Sequence, residues 1–320
     1  MLFSGCYYMK QGRYLVSHQV KADAVGKLLQ REDLPSDVRE FLLLVEDIRK
    51  FSREELGLKE NKNYTTFLDT GKDVLAYVVS ACDPLSFQTY MWKYPFLGKM
   101  PYKGYYEPQD ARREGGRLEE RGLDVWIRGV EGFSTLGIFK DPLYKYMQDY
   151  PVHRLANLLI HEQTHATVWR KEDISFNEDL ASFVGDEGAR LYILSRYGED
   201  SDEFKAIAKG EDDYKLFVED IFTLRDDLSL LYEEAEQSVE PEADTEGFLE
   251  RKGEIIAVFQ EKFRSSYENR YSSDRFLGFA DLPINNAYLD LYQIYEGNRA
   301  WFEEKYEEAG GDMKVFLASL

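Results

Sequence analysis

One segment constrains the fold of this chain more than any other: an apolar run over 155–160, followed at once by a cluster of polar residues. The run leads directly into His161, Glu162 and His165. It predicts a buried helix, and Pro151 suits the first position of that helix because the N–H that proline lacks would be unpaired there anyway. Burial alone does not explain two histidines and a glutamate on such a segment.

The spacing of these polar residues indicates a metal site. Residues at i and i+4 of a helix share one face, so His161 and His165 can each give one nitrogen to a tetrahedral zinc ion. Glu162 lies about 100° further round the helix and can reach a metal-bound water without binding the metal. The five residues 161–165 match the H-E-x-x-H pattern, in which the glutamate is the general base.

The pattern has two alternatives to a metal site. The chain has 4 histidines, and a chance match of two of them to this pattern is on the order of one in a hundred or less. The histidines could instead make only polar contacts on a buried helix. Neither alternative accounts for the glutamate.

A catalytic zinc needs a third protein ligand, and we predict Glu178. His153 lies two turns before His161 on the same helix, too far along its axis to share the metal. Glu178 opens the next predicted helix, from about Ser175 to Tyr197, after a link long enough to reverse the chain.

The alternative role for Glu178 is a capping box with Ser175, in which the glutamate binds the backbone N–H of the serine. One carboxylate is unsuited to serve fully as both cap and ligand. Reserve candidates for the third ligand are Asp173, Asp179 and Glu187.

The pattern His-Glu-x-x-His followed by Asn177-Glu178-x-x-Ala181 resembles the gluzincin peptidases, in which the second motif supplies the third zinc ligand. More closely, the chain is similar to a family of predicted zinc aminopeptidases found among bacterial lipoproteins. Gln163-Thr164 departs from the more apolar pair usual in the first motif. The resemblance runs through almost the whole chain, at Gly5-Cys6, Arg-Glu-Glu-Leu-Gly-Leu (53–58), Tyr-Lys-Gly-Tyr-Tyr (102–106), Gly-Val-Glu-Gly-Phe-Ser-Thr-Leu-Gly (129–137), Phe-Asn-Glu (176–178) and Asn-Asn-Ala (285–287).

This resemblance implies a zincin-like fold and one zinc ion per chain, held by His161, His165 and Glu178. By its place in the family pattern, Tyr295 would stabilise the developing oxyanion, with Tyr292 as the alternative. The substrate would be a peptide or protein.

These observations predict a zinc metallopeptidase, and the family label suggests an aminopeptidase. Glu162 would take the proton of the attacking water and pass it to the leaving amine. The alternative is a non-catalytic, zinc-containing binding or scaffolding lipoprotein. An intact Glu162 speaks against that alternative, because metal binding alone does not need it.

Charge and cysteine content narrow the partners and the location. A net charge of −20 excludes a nucleic-acid partner, which needs a basic face. The two cysteines, Cys6 and Cys82, are too few for a disulfide scaffold.

Small residues before Cys6 match a lipoprotein junction, so we expect a lipid anchor at Cys6 as the only membrane contact. The expected location is the bacterial cell envelope, lipid-anchored or periplasmic. A cytoplasmic location is the alternative, and the oligomeric state stays open.

The hydrophobic pattern predicts a helix-dominated α+β fold in a single domain over 1–320. A lipoprotein-like tail (1–10) would precede a sheet-containing half (about 11–150) and a helical half (about 151–320). Expected helices start near Ser36 or Asp37, form an αα-hairpin around 233–245, and end with 288–306. Expected strands lie over 74–79 and 123–128, and 126–136 is a candidate edge strand for the substrate, although an ordinary hairpin is equally compatible.

Overall fold

Helices make up most of this chain, and short strands form its small sheets. The computed structural model describes residues 2–94, 98–130, 141–171, 173–238, 241–292 and 299–320. Within those residues the helices are α1 (Leu2–Lys21), α2 (Val25–Leu28), α3 (Ser36–Glu54), α4 (Pro108–Glu119), α5 (Val152–Thr167), α6 (Ile174–Tyr197), α7 (Asp202–Gln237), α8 (Pro241–Arg270), α9 (Asn286–Leu289), α10 (Arg299–Glu308) and α11 (Met313–Ser319).

The strands pair into small sheets. They are β1 (Asp23–Ala24), β2 (Thr66–Leu68), β3 (Ala76–Cys82), β4 (Trp92–Tyr94), β5 (Gly98–Met100), β6 (Tyr102–Tyr105), β7 (Asp124–Val130) and β8 (Leu143–Tyr144). Within the described ranges the sheet orders are β1-β2-β8, β6-β3-β7 and β4-β5. The central β3 is antiparallel to both neighbours, whereas β2 and β8 run parallel. The predicted α+β, helix-dominated class is confirmed; its zincin-like character stays a prediction.

The chain divides into two compact units, each assembled from separate segments. Unit 1 contains residues 1–75, 131–205 and 295–320, and unit 2 contains 76–130 and 206–294. Both units therefore draw on the expected sheet-containing half and on the expected helical half.

Unit 1 is built around α3, α5 and α6. The apolar face of α3 is buried from Val38 to Phe51, with Ile48 fully inaccessible. Phe51 makes an edge-on ring contact with Tyr192 of α6, at 5.3 Å between centroids. The helix itself was predicted correctly, but its N-cap position is Pro35, not Ser36 or Asp37.

Unit 2 contains the αα-hairpin of α7 and α8, whose apolar faces meet in one core cluster. Phe217, Ile221 and Leu224 of α7 are buried, as is Phe263 of α8, and the expected αα-hairpin is present. The connection is shorter than expected, because α7 continues to Gln237 and α8 begins at Pro241.

The C-terminal region differs from the single helix predicted over 288–306. Among the described residues, α9 ends at Leu289 and α10 begins at Arg299. Asn285 caps α9, since its side chain accepts a hydrogen bond from the N–H of Tyr288 at 3.0 Å. A cap confined to a four-residue helix marks a local turn rather than the start of a long helix.

Cys6 lies within α1, and its predicted lipidation stays a prediction. Across the described residues, no helix combines the length and the apolar character needed to span a membrane.

Candidate metal centre

The two helices of the predicted site, α5 and α6, pack closely because α6 presents glycines to α5. A Cβ atom at Gly185 would lie 3.2 Å from the Cβ of His161. A Cβ at Gly188 would lie 2.9 Å from Ile160. Ala181, a further small residue of α6, is fully buried. Small residues along α6 thus bring its backbone against the face of α5 that carries the histidines.

The start of α6 is set by Asp173 and Asn177. The carboxylate of Asp173 accepts the N–H of Phe176 at 3.2 Å and caps the helix. The side chain of Asn177 binds both backbone groups of Arg170, accepting its N–H and donating to its carbonyl, each at 2.8 Å. Ser175 is already inside the helix, so the alternative capping box of Ser175 with Glu178 is not formed. Glu178 is left free to face α5.

The structure brings His161, His165 and Glu178 together. The Nε2 of His161 lies 3.6 Å from one carboxylate oxygen of Glu178, and the Nε2 of His165 lies 3.7 Å from the other. Candidate ligand atoms of the three residues all lie within 4.8 Å of one another. Two ligands of a tetrahedral zinc at ordinary bond lengths are about 3.3 Å apart. Two imidazole nitrogens and one carboxylate oxygen also form a ligand set that zinc accepts, so the three residues fit a zinc ion.

The ring nitrogens of His165 are incompletely paired by the protein. Its Nδ1 is buried and has no hydrogen-bond partner among the described residues. Its Nε2 is 3.7 Å from Glu178, beyond hydrogen-bonding range. Neither neutral tautomer therefore satisfies both nitrogens, and a buried unpaired polar atom costs free energy. A cation at Nε2 would use the lone pair of that nitrogen, and Nδ1 would still lack a partner.

Burial and neighbouring charges shift the pKa values of the three candidate ligands in different directions. The pKa of His165 is lowered to about 4, mainly by burial. The carboxylate of Glu178 acts to raise this pKa, and His161 acts to lower it. Burial also acts to lower the pKa of His161, but Glu178, Glu162 and Asp186 outweigh it and the net shift is upward. For Glu178, burial acts to raise the pKa, and the two histidines reverse the sign. His165 is thus neutral near pH 7, the form that binds a metal.

A second layer of polar contacts orients α5 and α6. Asn157, one turn before His161, donates to Asp186 of α6 at 2.7 Å. Arg299 of α10 donates to the other oxygen of Asp186, also at 2.7 Å. This chain of contacts joins three helices beside the histidine face, and it was not visible in the sequence pattern.

Gln163 and Thr164, which depart from the family's usual apolar pair, are both buried and both bonded. The amide of Gln163 accepts from Ser52 at 2.7 Å and donates to the carbonyl of Lys59 at 3.0 Å. The hydroxyl of Thr164 donates to the carbonyl of Ile160 at 2.9 Å. Gln163 therefore ties α5 to α3 and to the segment after it, whereas Thr164 is satisfied within α5.

Glu162 is half-buried, and Tyr64 is close enough to interact with it electrostatically. Burial, followed by the charge of Glu162, raises the pKa of Tyr64 well above its ordinary value, so its phenol stays protonated. Tyr64 has a φ of 59°, and no other non-glycine residue in the described part of the chain has a positive φ. No sequence signal distinguishes Tyr64 among 23 tyrosines.

Trp169 was also missed by the sequence analysis. Its ring centroid lies 5.9 Å from that of the His165 imidazole, in an edge-on arrangement, and the residue is 43% exposed. No known sequence motif links a tryptophan to a histidine four residues earlier. Helical spacing does not predict the contact either, because α5 ends at Thr167, before Trp169.

The remaining candidates lie elsewhere. Asp173 is a helix cap, and Glu187 forms an ion pair with Arg190 at 2.6 Å. Asp179 does not belong to the triad of possible ligands, within the described residues. Tyr292 belongs to unit 2, where its hydroxyl lies 3.2 Å from that of Tyr288.

Tyr295 lies outside the described residues, as does the part of the candidate substrate strand from 131 to 136. The preceding β7 is an edge strand of its sheet as far as Val130. The roles predicted for Tyr295 and for this strand stay predictions.

With this geometry established, comparison with known proteins identifies the family. A family model described as "Putative aminopeptidase" matches residues 6–320. The chain belongs to this family. Membership supports a peptidase activity, and the family name points to an aminopeptidase. Among curated proteins and among solved structures, nothing matches the chain.

Proposed function

We propose that this member of the aminopeptidase family is a zinc-dependent peptidase, with zinc held by His161, His165 and Glu178. The observation that carries the proposal is the convergence of three possible ligand atoms from two helices within 4.8 Å. The Nε2 atoms of both histidines face the carboxylate of Glu178 at 3.6 and 3.7 Å, beyond hydrogen-bonding range, as expected of nitrogens that could bind a metal. Family membership independently supports the reaction class.

The chemistry divides between the metal and Glu162. Bound zinc would act as a Lewis acid, lowering the pKa of a coordinated water and polarising the scissile carbonyl. The carboxylate of Glu162 accepts the proton of the attacking water and returns it to the amine that leaves. His161, His165 and Glu178 keep their places through close packing of α5 on α6 and the contacts of Asn157 and Asn177.

The competing function is a zinc-containing binding or scaffolding protein without catalysis. The same ligand triad would serve it equally well. Glu162 favours the enzyme, because a binding site gains nothing from a carboxylate next to a ligand on the same helix.

The test combines zinc analysis with hydrolysis of a broad peptide library by the wild-type protein and Glu162→Gln. We expect about one zinc per chain in both proteins, as an amide nearly matches a carboxylate in shape. The amide cannot accept the water's proton, so turnover should fall about 10²–10⁴-fold. An active Glu162→Gln enzyme would refute the mechanism. Wild-type protein that binds zinc but cleaves no peptide would favour the non-catalytic binding function. Wild-type protein that binds no zinc would overturn the proposed metal site.

Peptides with free and acetylated N-termini separate the two modes of cleavage. If the chain is an aminopeptidase, as the family name suggests, only the free peptides should lose their first residue. Cleavage of acetylated peptides at internal bonds would assign an endopeptidase instead.

Attachment to a bacterial envelope membrane through a lipid on Cys6 is part of the same proposal and rests on the Ser4-Gly5-Cys6 junction. Mass spectrometry of the native protein should find a lipidated Cys6 at the mature N-terminus. An unmodified Met1 in the native protein would contradict it.

A further inference from the structure

Trp169 differs in exposure from Trp92 and Trp126, and in its ring contacts from the similarly exposed Trp301. Trp92 is buried and its indole N–H donates to Glu114 at 2.9 Å, and Trp126 lies edge-on against Tyr288 at 4.7 Å. Trp169 is 43% exposed, and among the described residues its one ring contact is with His165. Leaving so large an apolar ring in water forfeits much of the stabilisation that its burial would give. A binding role would explain its position.

The chain beside Trp169 is held firmly. Both backbone polar groups of the next residue, Arg170, are bound by the buried side chain of Asn177 at 2.8 Å. The guanidinium of Arg170 lies 3.5 Å from the ring centre of Phe176. Asp173 then caps α6. The indole is therefore presented from a fixed backbone, which favours a formed surface next to the metal-site residues over a loose exposed side chain.

We propose that Trp169 forms one wall of a subsite that binds an aromatic or large aliphatic side chain adjacent to the scissile bond of a peptide. This inference rests on the proposed peptidase function. If the scissile carbonyl lies at the triad, the residues on either side of it begin within one residue's length, about 3.3–3.6 Å along the peptide. The indole is 5.9 Å from the His165 ring, which is the range that such a side chain covers.

A cationic occupant is the alternative to an apolar one, because an exposed indole can also attract an ammonium or guanidinium group. The guanidinium of Arg170, the next residue, lies over the ring of Phe176 instead. An apolar side chain would recover the burial that the exposed indole lacks, so we assign an apolar occupant. A lysine in the test peptide distinguishes the two.

The test uses zinc-loaded protein and peptides that vary at one residue, which is Phe, Leu, Ala or Lys in a glycine-rich background. Cleavage sites are located by mass spectrometry. We expect the wild-type protein to cleave beside Phe or Leu at least about ten-fold better, as kcat/KM, than beside Ala. Trp169→Ala should lose most of that ratio, and Trp169→Phe should retain much of it.

Trp301→Ala is the matched control. Trp301 is also exposed, at 39%, but its ring contacts are with Phe176 and Phe302 and not with a metal-site residue. Its replacement should leave the Phe/Ala ratio unchanged. A wild-type preference for Lys, no preference, or an unchanged ratio in Trp169→Ala would each overturn the subsite.

A binding measurement separates failure of the subsite from failure of the proposed function. The Phe and Ala peptides are titrated against Glu162→Gln by calorimetry, with and without the additional Trp169→Ala change. Tighter binding of the Phe peptide that depends on Trp169 supports the subsite, even where wild-type protein cleaves nothing and the peptidase proposal fails. Equal binding of both peptides overturns the subsite, whatever the outcome of the hydrolysis assay.

Discussion

Two polar clusters, one in each compact unit, differ in how completely their hydrogen bonds are satisfied. The metal-site cluster of unit 1 comprises His161, His165 and Glu178, which the sequence pattern brings out. The asparagine cluster of unit 2 comprises Asn286, Asp124 and Lys252. Of these three, only Asn286 belongs to a motif of the family resemblance, and the structure shows its partners.

In the asparagine cluster every member has partners. The amide nitrogen of the fully buried Asn286 donates to the carbonyls of Asp83 and Ser86 at 2.9 and 3.0 Å, and its oxygen accepts from Tyr232 at 2.7 Å. Its backbone N–H donates to Asp124, which also forms an ion pair with the buried Lys252. Such a network ties the turn after β3 to β7, α7, α8 and α9 without any external group.

The metal-site cluster is incomplete in the protein alone. The side chain of Glu178 is 46% exposed, and its contacts to both histidines are longer than hydrogen bonds. His165 keeps a buried nitrogen unpaired. A satisfied buried network specifies structure, whereas unmet bonding capacity around a ligand set indicates a site for a ligand. The predictions below test this distinction.

The largest effect is expected from removing a predicted zinc ligand. His165→Ala should lower zinc affinity by more than about 100-fold, since loss of an outer partner of a ligand alone costs 10–100-fold. Hydrolysis should be lost in parallel. Zinc analysis beside the peptidase assay measures both, and a variant that retains zinc and activity would contradict the assignment.

Glu178→Ala should behave in the same way, with Asp179→Ala as its matched control one position along α6. Glu178 lies within 3.7 Å of both histidine rings, whereas Asp179 is not among the possible ligands that the described residues offer. Zinc content should therefore fall in the first variant and stay near one per chain in the second. Equal zinc loss in both would point to a general disturbance of α6.

Asn286→Ala should have the opposite profile, with reduced stability and unchanged zinc. It removes the hydrogen bonds that Asn286 makes with the carbonyls of Asp83 and Ser86 and with the hydroxyl of the buried Tyr232. A buried group left unsatisfied costs about 1–3 kcal/mol. We expect the free energy of unfolding to fall by about 3–5 kcal/mol, measured by denaturant unfolding. A loss below about 0.5 kcal/mol would show that the network is not needed for the fold.

The smallest effect concerns the cap of α6. Asp173→Ala should cost about 0.5–2 kcal/mol of stability and retain zinc, because Asp173 caps the helix and is not a ligand. Ser175→Ala is the control, and it should change stability by less than about 0.5 kcal/mol. A larger loss of stability in Ser175→Ala than in Asp173→Ala would instead support the capping box of Ser175 with Glu178.

Some elements escaped the sequence analysis because their local pattern is weak. No helix was predicted over 108–119, where Gly115 and Gly116 lower helix propensity. The structure shows why Gly115 is present: a Cβ there would lie 2.9 Å from the Cδ1 of Ile127 in β7. The close contact of α4 with the sheet depends on a residue 12 positions away, which no local window contains.

The sequence by itself determined the parts of this protein that depend on neighbouring positions. These are the helical spacing of His161 and His165, the placement of Glu162 beside them, the apolar faces of α3 and α7, and the turn to α6 that made Glu178 a candidate. Each follows from backbone geometry over one or two turns.

Only the tertiary structure decided which of several equivalent residues take part. Asp173 instead of Ser175 caps α6, Asn286 serves a buried network, and Trp169 rests against His165. These outcomes depend on contacts between segments far apart in the chain, or on which of two nearby side chains accepts a given backbone N–H. Hydrogen bonds and packing contacts act over a few ångströms in space, so a residue's distance along the chain does not reveal them.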